Sequence, residues 1–172
     1  MKETILVIGG CRSGKSRHAL RLAEQAPGQK IFIASCIPQD KEMKQRVFHH
    51  QQQRNNTWKT FEVPFFIPDA INTHGLNGNV LLVDCLTLWI SNLIMDDQHS
   101  EKIDTYIIEL IQSLEKSECP IILVSNEVGC GIVPENKLAR LFRDIAGFAN
   151  QKVAGCADRV IWMVAGIPVN IK

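Results

Sequence analysis

Apolar positions fall along this chain in two rhythms. Continuous apolar runs end at a glycine, serine, asparagine or carboxylate: TILVIGG at residues 4–10, KIFIAS at 30–35, NVLLVD at 79–84 and PIILVSN at 120–126. Runs of this kind suit strands buried on both faces of a parallel sheet. Between them the spacing turns helical. Lys15–Gln25 carries Ala19, Leu20, Leu22 and Ala23 on one side, and residues 86–95 (LTLWISNLIM) and 101–116 repeat at helical intervals. A further helix is expected from Asp40, a capping residue, through Met43, Val47 and the pair His49–His50. A long helix is expected to begin at Pro134 and to bury Leu138, Leu141, Phe142, Ile145 and Ala149. Residues 58–63 read as a short strand, and residues 159–172 as a strand, a tight turn and an antiparallel edge strand.

Strands alternating with helices predict one α/β domain over residues 1–172, with a mostly parallel central sheet flanked by helices and an antiparallel C-terminal edge. Ligands in such sheets sit beyond the carboxyl ends of the strands. Gly9, Ser35, Asp84 and Asn126 are all expected there, so four separate segments converge on one rim.

Composition narrows the partners. Nineteen Lys and Arg against eighteen Asp and Glu leave a formal charge of +1. No bulk field then draws nucleic acid or a membrane surface, and any anion has to be held by a few placed cations and backbone amides. No apolar run approaches the roughly 20 residues of a membrane span. The six cysteines form no C-x-x-C pair, which points to reduced thiols and a cytoplasmic setting rather than zinc or a disulfide framework. The first residues lack the features of a secretory signal.

The segment Gly9, Gly10, Cys11, Arg12, Ser13, Gly14, Lys15, Ser16 satisfies G-x-x-x-x-G-K-[ST] between a strand and a helix. Gly10 and Gly14 are expected to let the backbone curl into an anion nest. Lys15 reaches the terminal phosphates, and the Ser16 hydroxyl ligates Mg²⁺. Asp84 closes its strand like a Walker B acid and reads either as a second Mg²⁺ ligand or as the N-cap of the next helix. The chain lacks the N-K-x-D of signalling GTPases. It also lacks the arginine-rich lid of adenylate-type kinases, since Arg140 and Arg143 fall on a helix expected to pack in the core.

Residues 46–54, RVFHHQQQR, carry the remaining chemistry. Adjacent helical residues diverge by about 100°, so His49 and His50 cannot serve one substrate together. His50 shares its stripe with Arg46 and Arg54. Two permanent cations disfavour imidazolium, so His50 is expected to be neutral, the nucleophilic form, beside charges that stabilise an attacked phosphate. His49 reads as its packing or hydrogen-bonding neighbour.

GGCRSGKSRHA, RVFHHQQQR, W-x-x-x-E at 58–62, LLVDCLTLWISNL, the NEVGCGIVPEN block and the closing AGIPVNIK together resemble the bifunctional adenosylcobinamide kinase / adenosylcobinamide-phosphate guanylyltransferase family, over essentially the whole chain. The resemblance implies a RecA-like P-loop NTPase fold and a homotrimer. It implies phosphorylation of adenosylcobinamide with ATP or GTP. Transfer of GMP from GTP to the resulting phosphate then gives adenosylcobinamide-GDP and pyrophosphate. It puts the guanylylated histidine at His50 and nucleotide contacts at Gly9 to Ser16, Ala34, Ser35, Cys36, Gln51, Gln52, Gln53, Arg54, Glu62 and Asp84. One departure is Gln51, where many members have Lys; this leaves Arg54 and Lys15 to supply the charge. No kinase base is evident, although Glu62 and Asp84 are the carboxylates at hand. The NEVG block reads equally as a ligand-shaping loop through Asn126 and Glu127 or as a glycine turn before a helix. Two other classes fit parts of the pattern: a single-activity P-loop kinase on another small alcohol, and a nucleotide-switched regulator with no need of a nucleophile.

Overall fold

The computed structural model describes residues 2–38, 41, 45 and 57–172. Among these, seven strands form one sheet. In chain order they are β1 (Thr4–Gly9), β2 (Gln29–Ala34), β3 (Lys59–Glu62), β4 (Asn79–Asp84), β5 (Ile121–Asn126), β6 (Arg159–Val164) and β7 (Ile167–Asn170). Their order across the sheet is β3-β2-β4-β5-β1-β6-β7, every pair parallel except β6–β7. The helices are α1 (Lys15–Gln25), α2 (Ile67–His74), α3 (Leu86–Met95), α4 (Ile103–Lys116) and α5 (Lys137–Cys156), with a 3₁₀ turn at Ser100–Lys102 before α4.

Alternation along the central strands sends side chains into two separate layers. Leu6, Ile8, Ile33, Leu81, Val83 and Leu123 meet α2, α3, α4 and α5 on one face. Ile5, Val7, Phe32, Leu82, Ile122, Val124 and Ile161 meet Ala19 and Ala23 of α1 on the other. This two-sided burial is why the strands read as unbroken apolar runs. Trp89 of α3 is fully buried, and its indole N–H donates to the Phe65 carbonyl at 2.6 Å, so the largest core side chain leaves no orphan donor.

Three expectations are corrected. The segment before β4 contains α2, which the sequence reading passed over; Pro68 sits in its first turn and only Ile67, Pro68 and Ile71 are buried. Helix α5 starts at Lys137, not Pro134. Asn136 is still extended (φ −69°, ψ 127°), and its side-chain oxygen accepts from the Ala139 N–H, a cap that proline cannot provide. The opening turns of α5 are not core-packed either. Leu138 and Leu141 are 45% and 48% exposed, whereas Ala146, Ala149, Asn150 and Val153 are buried. Arg140 donates to the Pro134 and Glu135 carbonyls, and Arg143 to those of Ile132 and Gly129, so both arginines fasten the loop before the helix. Among the described residues, no helix is long and apolar enough to cross a membrane.

Candidate active site

The register places the strand ends level with one another. Ala34 pairs with both Glu62 and Asp84, and Gly9 pairs with Asn126 and Met163. Loop residues 11–17, Asp84, Cys85 and Asn126 enclose a cavity of about 620 Å³ on this rim.

The loop that lines it is shaped by two left-handed residues, Arg12 (φ 56°) and Gly14 (φ 90°). Gly10 has an ordinary φ, and a Cβ there would meet nothing within 4 Å, so the expected role of Gly10 in the curl passes to Arg12. Gly9 is needed for a different reason. A Cβ on it would lie 2.6 Å from the Met163 carbonyl oxygen and 2.7 Å from Ser13 Oγ. Lys15 Nζ donates to the Gly10 carbonyl at 3.0 Å, across the mouth of the loop, and the His18 N–H donates to the Gly14 carbonyl at 3.0 Å as α1 begins. The first N–H groups of α1 therefore face the same space, where a helix start favours anions.

A brace that the sequence reading missed comes from the C-terminal hairpin. Ala165 (φ 49°) and Gly166 (φ 84°) make the two-residue turn between β6 and β7, with both φ positive as a type I′ turn requires. The Gly166 N–H donates to the Ser13 carbonyl at 3.0 Å, and Gly166 Cα lies 3.4 Å from where a Cβ on Gly14 would be. The alanine–glycine pair inside AGIPVNIK was the available signal.

Asp84 is not the N-cap of α3; that position belongs to Cys85, which makes no side-chain cap bond. Asp84 thus shares the cavity with Ser16 and with the cations Arg12, Lys15 and Arg17. One hydroxyl and one carboxylate beside a phosphate nest are the hard oxygen donors that suit Mg²⁺, which commonly completes its shell with phosphate oxygens and water. The donor set therefore fits the ion, with Ser16 and Asp84 as the residues that would hold it.

The second group of predicted contacts stands beyond Asp84 on the outer strands. Ala34 ends β2, Ser35 and Cys36 follow it, and Glu62 ends β3. Burial first, then the carboxylates of Asp84 and Glu62, push the Cys36 thiol up, which puts all three on one stretch of rim. Ser35 is fully buried. Its hydroxyl donates to the Cys85 carbonyl at 2.7 Å and accepts from the Cys85 N–H at 2.9 Å, so its side chain joins β2 to β4. Asn92 of α3 donates to the carbonyls of Ser35 (2.8 Å) and Pro64 (3.0 Å), fixing the chain as it leaves both outer strands. Burial and the neighbouring Asp84 push the Cys85 thiol up to about 12, so beneath the cavity it is a neutral wall and not a nucleophile.

Asn126 closes the cavity between the loop and Asp84. Its N–H donates to Thr87 Oγ1 at 2.6 Å, and its carbonyl accepts from Asn150 Nδ2 at 3.1 Å. Glu127 belongs to the turn: its N–H donates to the Gly9 carbonyl at 3.1 Å and its carboxylate accepts from the Gly129 N–H at 2.6 Å. The residues Arg46, His49, His50, Gln51, Gln52, Gln53 and Arg54, with the cap at Asp40, lie outside the described residues.

Comparison with known proteins bears on this site directly. The family model described as cobinamide kinase / cobinamide phosphate guanyltransferase matches residues 5–171. The chain belongs to this family. It is 42% identical to the bifunctional adenosylcobalamin biosynthesis protein CobU of Salmonella typhimurium, an alignment covering 98% of this chain and 99% of that one. It is 40% identical to CobP of Pseudomonas aeruginosa, described in the same words, over 97% and 96% of the two chains. Solved structures of similar fold include a KaiC-like protein of Pyrococcus horikoshii (TM-score 0.51, 17% identity, 93% of this chain and 70% of that one). Another is a type III secretion ATPase (TM-score 0.53, 11% identity, 98% and 56%). The expected P-loop architecture, mostly parallel with an antiparallel edge, is the one observed.

Proposed function

We propose that this chain carries both activities named for its family. It phosphorylates adenosylcobinamide with ATP or GTP, then transfers GMP from GTP to the new phosphate, giving adenosylcobinamide-GDP and pyrophosphate. The observation that carries this reading is the single cavity joining a complete phosphate loop, Lys15, Ser16 and Asp84 in a chain of this family.

In the kinase step the acceptor hydroxyl oxygen attacks the terminal phosphorus and the nucleoside diphosphate leaves. Lys15, the loop N–H groups and the start of α1 bind the phosphates and stabilise the negative charge on the transferring group. Mg²⁺ held by Ser16 and Asp84 would neutralise phosphate charge. In the guanylyl step a nitrogen of neutral His50 attacks the α-phosphorus of GTP, a P–N bond forms and pyrophosphate leaves. An oxygen of adenosylcobinamide phosphate then attacks the same phosphorus and the imidazole departs. A phosphate monoester is a weak nucleophile towards another phosphate, and the covalent intermediate splits one hard displacement into two easier ones. The chain from β2 to β3, in which His50 falls by sequence, leaves β2 at the cavity rim. Ala34, Cys36, Gln51, Gln52, Gln53, Arg54 and Glu62 supply further nucleotide contacts, as does the backbone at Ser35.

The reading extends to a homotrimer working in the cytoplasm. Exposed Ile132, Val133, Ile167 and Ile171 are the kind of apolar surface that subunits cover. The deciding experiment incubates the protein with Mg²⁺ and GTP labelled at the α-phosphate and maps any acid-labile label. Label on His50 supports the reading. A protein that phosphorylates the acceptor but never takes up label is a kinase alone, and one that does neither is not this enzyme.

A further inference from the structure

The polar groups behind Asn126 form a closed circuit. The Asn126 N–H donates to Thr87 Oγ1, Thr87 Oγ1 lies 3.3 Å from Ser125 Oγ, Ser125 Oγ donates to Asn150 Oδ1 at 2.7 Å, and Asn150 Nδ2 returns to the Asn126 carbonyl. The proton directions follow from the chemistry. The Asn126 carbonyl can only accept, which fixes the Asn150 amide orientation and leaves Oδ1 for Ser125. Ser125 gives its one proton to Asn150, so the Thr87–Ser125 contact is made with the proton of Thr87. Three elements, α3, β5 and α5, are thereby tied to both backbone groups of one residue.

Thr87, Ser125 and Asn150 are 5%, 1% and 7% exposed. Polar groups taken this far from water cost free energy unless every one is bonded, and a partly satisfied network is worse than an apolar one. Asn150 lies on the buried stripe of α5 with Ala146, Ala149 and Val153, where an aliphatic residue would serve packing alone. The circuit converges on the one backbone position of β5 that borders the phosphate cavity. There Asn126 pairs with Gly9 at the root of the loop and stands two residues beyond the level of Asp84. An uncharged amide at that point can donate to a phosphoryl oxygen without competing with Asp84 for a cation.

We propose that Thr87, Ser125 and Asn150 are positioning residues for Asn126, holding its side-chain amide against a terminal phosphoryl oxygen of a bound nucleoside triphosphate. This rests on the reading of the cavity as a triphosphate site. A positioning residue acts through Asn126, so its loss matters only while Asn126 is present.

The test is a double-mutant cycle on the phosphoryl-transfer step, with Kd for a non-hydrolysable GTP analogue measured alongside. Thr87→Val should lower kcat about 10- to 100-fold, the scale of a sub-ångström to 1 Å misplacement, with Kd changed less than about 3-fold. Thr87→Ser, which keeps the hydroxyl, should recover to within about 3-fold of wild type. Thr87→Val combined with Asn126→Ala should be no slower than Asn126→Ala alone. If Thr87→Val does not fold, Asn150→Leu takes its place in the cycle. Wild-type kcat in the folded single variant, or effects that multiply in the double variant, overturns the inference and leaves the cavity reading standing. Undiminished affinity for the analogue in Lys15→Ala overturns the cavity reading itself.

Discussion

Gly9→Ala isolates the geometry of the loop root from its chemistry. The new Cβ would lie 2.6 Å from the Met163 carbonyl oxygen, 2.7 Å from Ser13 Oγ and 3.0 Å from Met163 Cβ. Ordinary contact begins near 3.4 Å, so the worst conflict needs 3.4 − 2.6 = 0.8 Å of relief. The opposing atom is backbone in β6, which is paired on one side to β1 and on the other to β7, so it cannot swing away as a side chain would. Overpacking of this kind costs about 1–3 kcal/mol. At about 2–4 °C per kcal/mol for a chain of this size, the melting temperature should fall by about 2–12 °C. Gly10→Ala is the internal control, since its Cβ meets nothing within 4 Å and its φ is ordinary. It should melt within about 1 kcal/mol of wild type, on either side. Thermal melts by circular dichroism, checked by urea unfolding, decide the matter. Gly9→Ala melting like wild type, or Gly10→Ala as damaging as Gly9→Ala, would refute the claim that close approach to β6 is what requires glycine at residue 9.

Four further outcomes are expected. Lys15→Ala should weaken GTP binding at least about 10-fold in a calorimetric titration while leaving the melting temperature nearly unchanged, because Lys15 makes one partly exposed bond to the loop. His50→Ala should take up no acid-labile label from α-labelled GTP yet keep substantial kinase activity; equal loss of both activities in folded protein would end the assignment of separate roles. Alkylation at pH 8 followed by peptide mapping should modify the exposed Cys11 and Cys130 first and Cys85 last, since a thiol pushed up to about 12 holds almost no thiolate, and GTP should protect Cys11. Burial, then Arg21 and Arg159, hold His18 below its ordinary 6.5, so the unfolded chain binds the proton more readily; stability should drop as pH falls below 6.5, and less so in His18→Gln, by urea midpoints at pH 7.5 and 5.5.

The apolar runs were legible because each central strand is buried on both faces, and they mark β1, β2, β4 and β5 to within a residue. The phosphate loop and the hairpin were legible because their turn residues are. What stayed hidden has three physical sources. Helix α2 is eight residues long with three of them buried, too short for a period to show. The start of α5 was set by a side-chain cap at Asn136, which competed with the stronger signal of Pro134. The alanine–glycine pair announces the hairpin turn but not its target: that the Gly166 N–H reaches the Ser13 carbonyl depends on a contact between segments far apart in sequence, which no local pattern reports. Thr87, Ser125 and Asn150 were visible as polar breaks in apolar stretches, a signal that marks a buried polar cluster before its partners are known.

The charge of the site follows from the same residues. The whole chain is nearly neutral, so attraction for a triphosphate has to be local. Among the described residues, Arg12, Lys15 and Arg17 line the cavity against one carboxylate, that of Asp84. Cys85 borders it and Cys36 stands on the adjacent rim; both are held protonated by burial and by Asp84, so neither adds a competing negative charge at neutral pH. Asn126, the remaining polar side chain contributed from a strand end to the cavity wall, is uncharged. As the described residues line it, with three cations, one carboxylate and neutral side chains, the cavity suits an anion, and the proposed role of Asp84 suits one that arrives with a metal ion. Replacing Asp84 with Asn should therefore separate two effects that Lys15→Ala cannot. Metal-free GTP should bind the variant as well as wild type or better, because one repulsive charge is gone. The gain in affinity on adding Mg²⁺ should shrink, because one of the two residues proposed to hold the ion is gone. A variant whose response to Mg²⁺ matched that of wild type would leave Asp84 with no metal to hold.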